Sequence, residues 1–583
     1  MTPLRTTLLV ALLTVLAATA ATAQWATDPS VNLLVGDGPG EQVVPHAAVV
    51  PDGGSFAGFT WVGWYDNDSA NYDVAAQLLA PDGVPVFPQG GIIVSDQPQD
   101  SWVMDWSLAA GEGGFAIIAF ADIRDGNSNI QVYRVEADGS FPWGPDGIQL
   151  TSNSDFKGPP CVAVTSDGHA VVAWMESSAG MKMQRLTADG TPLLAAGGLA
   201  VGEPDDAGPA GNLLVPSDDG DVILGYVPSY SFIGNRQIKA QRFDASGAAV
   251  WPTSVWVMDD ATLPMGHYFH MTPDGQGGAL FTWDVAVGMS FDARCQRITA
   301  AGAEALPHNG VFPEAAGAAG QIEPSAVWDA ATDTYTMVYI DMTSTQNERG
   351  LNAQRFDAAG NRLWGVAGKV LLPLDGDMEV LPSLALVDGA PMGVVNQSPG
   401  GAWGQDQLLG FGLDDNGDFL WGGPVLVCSA PASRGDQMAF HNGVTMVAVW
   451  EDDRSGSPDI WAQNLNADGT LGAGTVAIDD DGQDDPVTLP PARFTLHPSY
   501  PNPFNPATTI SFDLPAAAPV SLRIYDASGS MVRELVAATL PAAQHRYVWD
   551  GTDQAGRRQP SGVYFCRLVT DQRAVSRTMT LVK

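Results

Sequence analysis

Apolar and polar positions alternate along this chain in short bursts, and the stretch Val447–Gly469 shows the figure most plainly. VAVWEDD and DIWAQNL each alternate over the length of one strand, RSGSP makes a polar turn between them, and NADG closes on a tight Asp-Gly turn. With the closing Gly as a ruler, the figure returns at Gly83, Gly139, Gly190, Gly247, Gly302, Gly360, Gly417 and Gly469, at spacings of 51–58 residues. A near-constant period of this size marks a solenoid, a propeller or an array.

Other positions keep step with the ruler. An aromatic residue ends the strand before the polar turn in seven repeats: Trp64, Phe120, Trp174, Tyr226, Trp283, Tyr339 and Trp450. Four residues past the Gly stand Phe87, Trp143, Leu194, Trp251, Leu306, Trp364, Trp421 and Ala473, and all but the last are large and apolar. This position is expected to plug a core between neighbouring units. Each repeat resolves into four short strands separated by turns where positive φ suits glycine. Four antiparallel strands per unit, repeated, describe the blades of a β-propeller, which are stable only when stacked and closed. Eight copies point to eight blades, with seven as the alternative if one unit is degenerate. Ser30–Val35 resembles a fourth strand and competes with Thr475–Asp479 to complete the last blade.

The pattern changes at both ends. Met1–Ala23 has Arg5, an apolar run from Leu8 to Ala18 and Ala21-Thr22-Ala23, which reads as a secretory leader and is too short for a good membrane span. The repeat body occupies residues 24–481. The stretch 482–493 is the core of an acidic, then Pro-rich linker. Residues 494–583 carry short alternating strands such as TTISFDL and VSLRIYD, which suggest an Ig-like sandwich. The expected fold is therefore all-β: a β-propeller followed by a small Ig-like β-sandwich.

The C-terminal ninety residues hold Tyr500-Pro-Asn-Pro-Phe-Asn-Pro506, Ile524-Tyr525-Asp526 with Gly529, Trp549-Asp550-Gly551, and Ser561-Gly562-Val563-Tyr564. In combination they closely resemble the FlgD-type Ig-like domain, and that domain resembles the type A sorting domain of type IX secretion substrates. The resemblance implies an exported protein handed to a sorting machinery and shed or held at the cell surface. The body more loosely resembles secreted bacterial propeller repeats with a W-x-D-x-R-x-G-x-x-D-I-x-A-Q signature. The eighth repeat carries it as Trp450, Asp452 or Asp453, Arg454, Gly456, Asp459, Ile460, Ala462 and Gln463. That resemblance implies a fold and no reaction.

Charge sharpens the picture. The chain has 27 Lys+Arg against 66 Asp+Glu, a net charge of −39. Residues 494–583 hold 9 basic and 6 acidic residues, so residues 1–493 carry −42. Such a body repels phosphate backbones and anionic membranes, and admits calcium or a cationic partner. The four cysteines, Cys161, Cys295, Cys428 and Cys566, fall in separate units with no CxxC spacing and read as buried thiols.

Candidate chemistry is sparse. The variable turns between second and third strands should gather on one face, and Tyr65, Tyr72, Tyr230, Phe232 and Trp403 are candidates there for an aromatic surface contacting sugar or peptide. The competing expectation is that they cap blade edges. Asp414, Asp415 and Asp418, with Asp452 and Asp453, could offer oxygen ligands to calcium, although none matches a spaced calcium loop and most Asp-Gly pairs are simply turns. His267 and His270, three apart on a strand, would face opposite sides. Arg185, Arg242, Arg297 and Arg355 recur at one register position and are expected to form a repeated structural ion pair. No G-x-S-x-G elbow occurs. The sequence thus favours a non-catalytic, surface-presented propeller for binding or adhesion. The alternative is an extracellular glycan hydrolase or lyase with convergent acids in the propeller funnel.

Overall fold

The computed structural model describes residues 25–67, 71–99, 106–203, 206, 210–228, 235–288, 290–313, 320–402 and 404–472. Towards the C-terminus it describes 495–496, 502, 504, 508–514, 518–526, 528–540, 543–554, 557–570 and 573–582. The chain divides into two compact units, Met1–Thr475 and Val476–Lys583. The expected leader, the linker and the alternative closing strand Thr475–Asp479 lie outside the described residues.

The first unit is a β-propeller. Among the described residues it holds eight small antiparallel sheets, numbered here by their first strands. These are Gln42–Val49 (sheet 1), Ser107–Ala110 (2), Cys161–Val164 (3), Ala210–Pro216 (4), His270–Pro273 (5), Gly320–Asp329 (6), Met378–Val387 (7) and Arg434–His441 (8). Successive sheets touch through these strands, with Ala279–Val287 reaching from sheet 5 to sheet 6. The first strand of sheet 8 lies beside that of sheet 1, so the row returns on itself around an axis. Strands follow chain order within sheets 1 to 7. Turns joining first to second strands therefore lie at one edge, the inner-hairpin edge, and turns joining second to third strands lie at the other.

The repeat signature is the chemistry of the seams. Trp251 of sheet 4 packs on Gly302 of sheet 5, where a Cβ would stand 2.8 Å from the indole and φ is +80°. Its indole N–H donates to the Ala300 carbonyl at 3.0 Å. Trp143, Trp364 and Trp421 repeat that bond to Ala188, Asp415 and Ala467 in the next sheet. Only glycine combines the left-handed backbone with room for the ring. The Gln of the third strand holds the same loop: Gln296 Nε2 donates to the Leu306 carbonyl at 3.2 Å, while Oε1 accepts the Leu306 N–H at 3.0 Å. The register-locked arginines form the expected ion pairs, Arg185 with Asp167 at 2.7 Å, Arg242 with Asp221 at 2.8 Å, Arg297 with Asp274 at 2.7 Å and Arg355 with Asp415 at 2.6 Å.

The last seam is closed by the other end of the chain. Leu33–Gly36 is the fourth strand of sheet 8, with Leu33 opposite Ala462. Trp25 lies on Gly83 and donates to the Pro81 carbonyl at 2.9 Å, and Gln463 Nε2 donates to the Ala26 carbonyl at 3.2 Å. The eighth repeat carries Ala473 at its own plug position because Trp25 fills the role.

The second unit pairs a three-stranded sheet (Thr495–Leu496, Thr508–Leu514, Ala543–Trp549) with a four-stranded one (Met531–Leu540, Ala518–Asp526, Gly562–Val569, Ala574–Leu581). Phe504, from the proline-rich motif, is buried against Trp549 with ring centroids 5.4 Å apart. Asn502 and Phe504 zip that motif onto the edge strand, Asn502 Oδ1 accepting the Thr580 N–H at 2.7 Å and Phe504 N–H donating to the Thr580 carbonyl at 2.9 Å. All four cysteines are buried free thiols.

Candidate functional site

At the inner-hairpin edge, the turns of sheets 1 to 5 surround a hollow of about 750 Å³. Its lining is mostly glycine, proline and serine, with Ala110, Val164 and Thr165 between them. The ionisable side chains of the lining are Glu112, Asp167 and Asp218, and no Lys, Arg or His lines it. Glycine lets each carboxylate rest on a neighbouring turn: Glu112 Oε1 lies 2.5 Å from where a Gly53 Cβ would be, and Asp218 Oδ2 lies 2.0 Å from that of Gly277. Asp167 is engaged by Arg185, whereas Glu112 and Asp218 have no ion-pair partner among the described residues. The Ser217 hydroxyl ties sheet 4 to sheet 5 by donating to the Gly277 carbonyl at 2.5 Å.

The opposite edge is built from buried charge. Several first strands bulge there and place a residue at positive φ: Val44, Gly211, Glu323, Leu381 and Asp436. Two of these N–H groups, those of Val44 and Leu381, are met by carboxylates from the neighbouring sheet. Glu323 accepts from Leu381 at 2.6 Å and Glu451 from Val44 at 2.7 Å. Burial pushes the Glu323 carboxyl up, and it pushes Glu451 up to about 7 with help from nearby Asp436 and Glu41. Between sheets 5 and 6, His267 Nδ1 lies 2.7 Å from Asp284 Oδ2, and the imidazole stacks on Phe291 at 5.4 Å. The hydrogen bond to Asp284 holds the imidazole above its usual range, and Glu323 adds to the effect. Arg349 stands 3.9 Å from Glu323. These groups bring an imidazole, two carboxylates and a guanidinium together, and the carboxylate Oε2 of Glu323 is already engaged by the Leu381 N–H.

The residues expected from sequence do not form one site. Tyr65 is no surface ligand platform: it is fully buried, packed against Trp106 and Tyr72, because its position faces the next sheet. Tyr72 is half-buried and its hydroxyl lies 3.2 Å from Glu41. Tyr230, Phe232 and Trp403 lie outside the described residues. The aspartates expected to bind calcium are engaged separately. Asp414 caps its own turn by accepting the Asn416 and Asp418 N–H groups at 2.8 and 2.9 Å. Asp415 pairs with Arg355 and Asp418 with Lys369. Asp452 is buried between Arg434 and Arg454, and Asp453 accepts the Ser433 N–H. No group of three His, Cys, Asp or Glu side chains among the described residues is arranged to hold a metal ion. What sequence reasoning missed is the inner-hairpin edge. Its signal was available in the glycine-flanked acids of GEGG, SDG and SDDG.

No helix among the described residues is long and apolar enough to cross a membrane. No curated relative matches the chain. Among solved structures, a PL25 ulvan lyase bound to -[GlcA(1-4)Rha3S]- is 10% identical, covering 78% of this chain and 98% of that one with a TM-score of 0.42. The Dos1 propeller is 12% identical over 74% of this chain and 95% of that one, with a TM-score of 0.42. PorZ, a surface component of the type-IX secretion system of Porphyromonas gingivalis, is 12% identical over 92% of this chain and 70% of that one, with a TM-score of 0.30. At these scores the likenesses carry nothing about activity. Residues 502–573 match the model of the FlgD Ig-like domain, so the chain carries that domain behind a β-propeller body.

Proposed function

We propose that this protein is an exported, non-catalytic propeller that binds a glycan or protein ligand at the inner-hairpin edge. Its C-terminal domain, residues 494–583, would serve a sorting machinery that delivers it outside the cell. The observation that carries the reading is the hollow of about 750 Å³ lined by small residues and backbone groups, a size and shape suited to a ligand, without a base positioned beside an acid. A second reading, a glycan hydrolase or lyase, is favoured by the His267–Asp284 pair beside the raised Glu323 carboxyl at the opposite edge.

The test is a glycan and peptide array probed with the whole exported chain, with and without calcium, and followed for product release. Binding without turnover that is lost on Ser166→Trp, which puts an indole into the hollow, is the expected result. Product release that disappears on His267→Ala would overturn it in favour of the second reading. Calcium-dependent binding would require a metal site beyond the separately engaged aspartates.

A further inference from the structure

The hollow has a sign. We propose that it takes a ligand bearing two or more ammonium or guanidinium groups, and the proposal rests on the reading of this hollow as the binding site. Three observations converge. The cavity spans turns from sheets 1 to 5, so it is wide enough for an extended chain of several groups rather than one ion. Every ionisable group on its lining is a carboxylate, from three successive sheets: Glu112 of sheet 2, Asp167 of sheet 3 and Asp218 of sheet 4. Two of the three, Glu112 and Asp218, have no ion-pair partner among the described residues.

The surroundings reinforce the sign. Asp167 is paired with Arg185 at 2.7 Å, and the remaining donors of that guanidinium are taken up by the Gly220 carbonyl and the Thr165 hydroxyl. Arg242 bonds the Asp218 carbonyl and leaves its carboxylate free. A body carrying −42 adds a long-range field that draws cations and turns anions away. Ala110, Val164 and the prolines between the acids give an ammonium-bearing chain apolar contact for its methylene stem, as lysine and polyamine stems require. A polyanionic ligand would meet Glu112 and Asp218, and an Asp167 whose cation Arg185 is already paired, and is disfavoured on the same ground.

The experiment is calorimetric titration of the whole chain with four probes: spermine, hexalysine, a neutral oligosaccharide and hexaglutamate. Spermine or hexalysine should bind. The double substitution Glu112→Gln with Asp218→Asn, which keeps shape, should weaken that binding roughly tenfold, as expected when close charge pairs lose their attraction. Raising salt should weaken it in the wild type more than in the variant. Binding of hexalysine alone identifies a basic peptide as the source, and equal binding of spermine identifies a free polyamine. Cation binding that survives both the double substitution and Ser166→Trp would place it on the general acidic surface and overturn the proposal. A neutral oligosaccharide that binds, and is lost on Ser166→Trp, while neither cation binds, would overturn the charge assignment and leave the binding reading standing. No binding by any probe would sink both. Unchanged thermal melting of the variants secures each comparison.

Discussion

At the inner-hairpin edge of the propeller, Glu112 and Asp218 rest on glycines of a neighbouring turn with no ion-pair partner among the described residues. At the opposite edge, Asp452 is wholly buried between Arg434 and Arg454, and carboxylates from one sheet hold the strained N–H groups of the next. Both edges are acidic, yet the acids do different things. A rim carboxylate stays hydrated and needs no partner, so it is free to meet a ligand. A buried one is tolerated only when it is paired and hydrogen-bonded. The edge with the richer list of ionisable groups is therefore the structural one, and the plainer edge is the one open to binding.

The comparison is sharpest at Asp452. Asp452→Ala strands two largely buried guanidiniums and the Trp450 indole N–H, and is expected to cost about 3–5 kcal/mol, read from urea denaturation. Next comes the seam that joins both edges. Trp25→Ala removes the ring on Gly83 and the bond to Pro81, and should cost about 3 kcal/mol, because sheets 8 and 1 are held there by the far end of the chain.

Glu451 gives the opposite edge a pH signature. Its folded value of about 7 exceeds the ordinary 4.5, so the folded protein holds a proton that the unfolded chain releases between them. That contribution is complete below about 4.5 and is lost as pH rises through about 7. Glu451→Gln should flatten this fall in a series of melting temperatures, and an unchanged slope would assign it elsewhere. The inner-hairpin edge should respond weakly. Gly277→Ala puts a Cβ at φ +76° against the Asp218 carboxylate, costing about 1 kcal/mol and turning Asp218 aside. Asp218→Asn should change stability by less than about 0.5 kcal/mol while weakening the binding of cations.

Most of the fold was legible because a repeat states it many times. The ruler glycines, the aromatic or leucine four residues on, and the Gln-Arg pair of the third strand are the two sides of one seam, and period alone aligns them. The N-terminal strand was legible as a competitor, since Ser30–Val35 resembles a fourth strand and Thr475–Asp479 competes for the same place. The candidate site was far less legible. Tyr65 looks like a turn aromatic because it sits one residue past the strand's aromatic position, and its burial depends on which neighbour it faces. Asp452 and Asp453 look like a ligand pair, but Asp452 ends its strand with its carboxylate buried against Arg454, whereas Asp453 stands just past the strand and accepts the Ser433 N–H.

Sequence by itself determined the all-β class, the repeated unit, the acidic body and the FlgD-type domain, since each is written in local pattern or composition. Tertiary structure decided that Trp25 replaces the missing plug at position 473, that the calcium-like aspartates are engaged apart, and that three hairpin acids from separate sheets meet around one hollow. The hairpin acids recur at 55 and 51 residues, so the period puts them at one edge, but neither their meeting around a hollow nor the pairing of Trp25 with Gly83 is written in it, and only closure of the ring brings these residues within reach of one another.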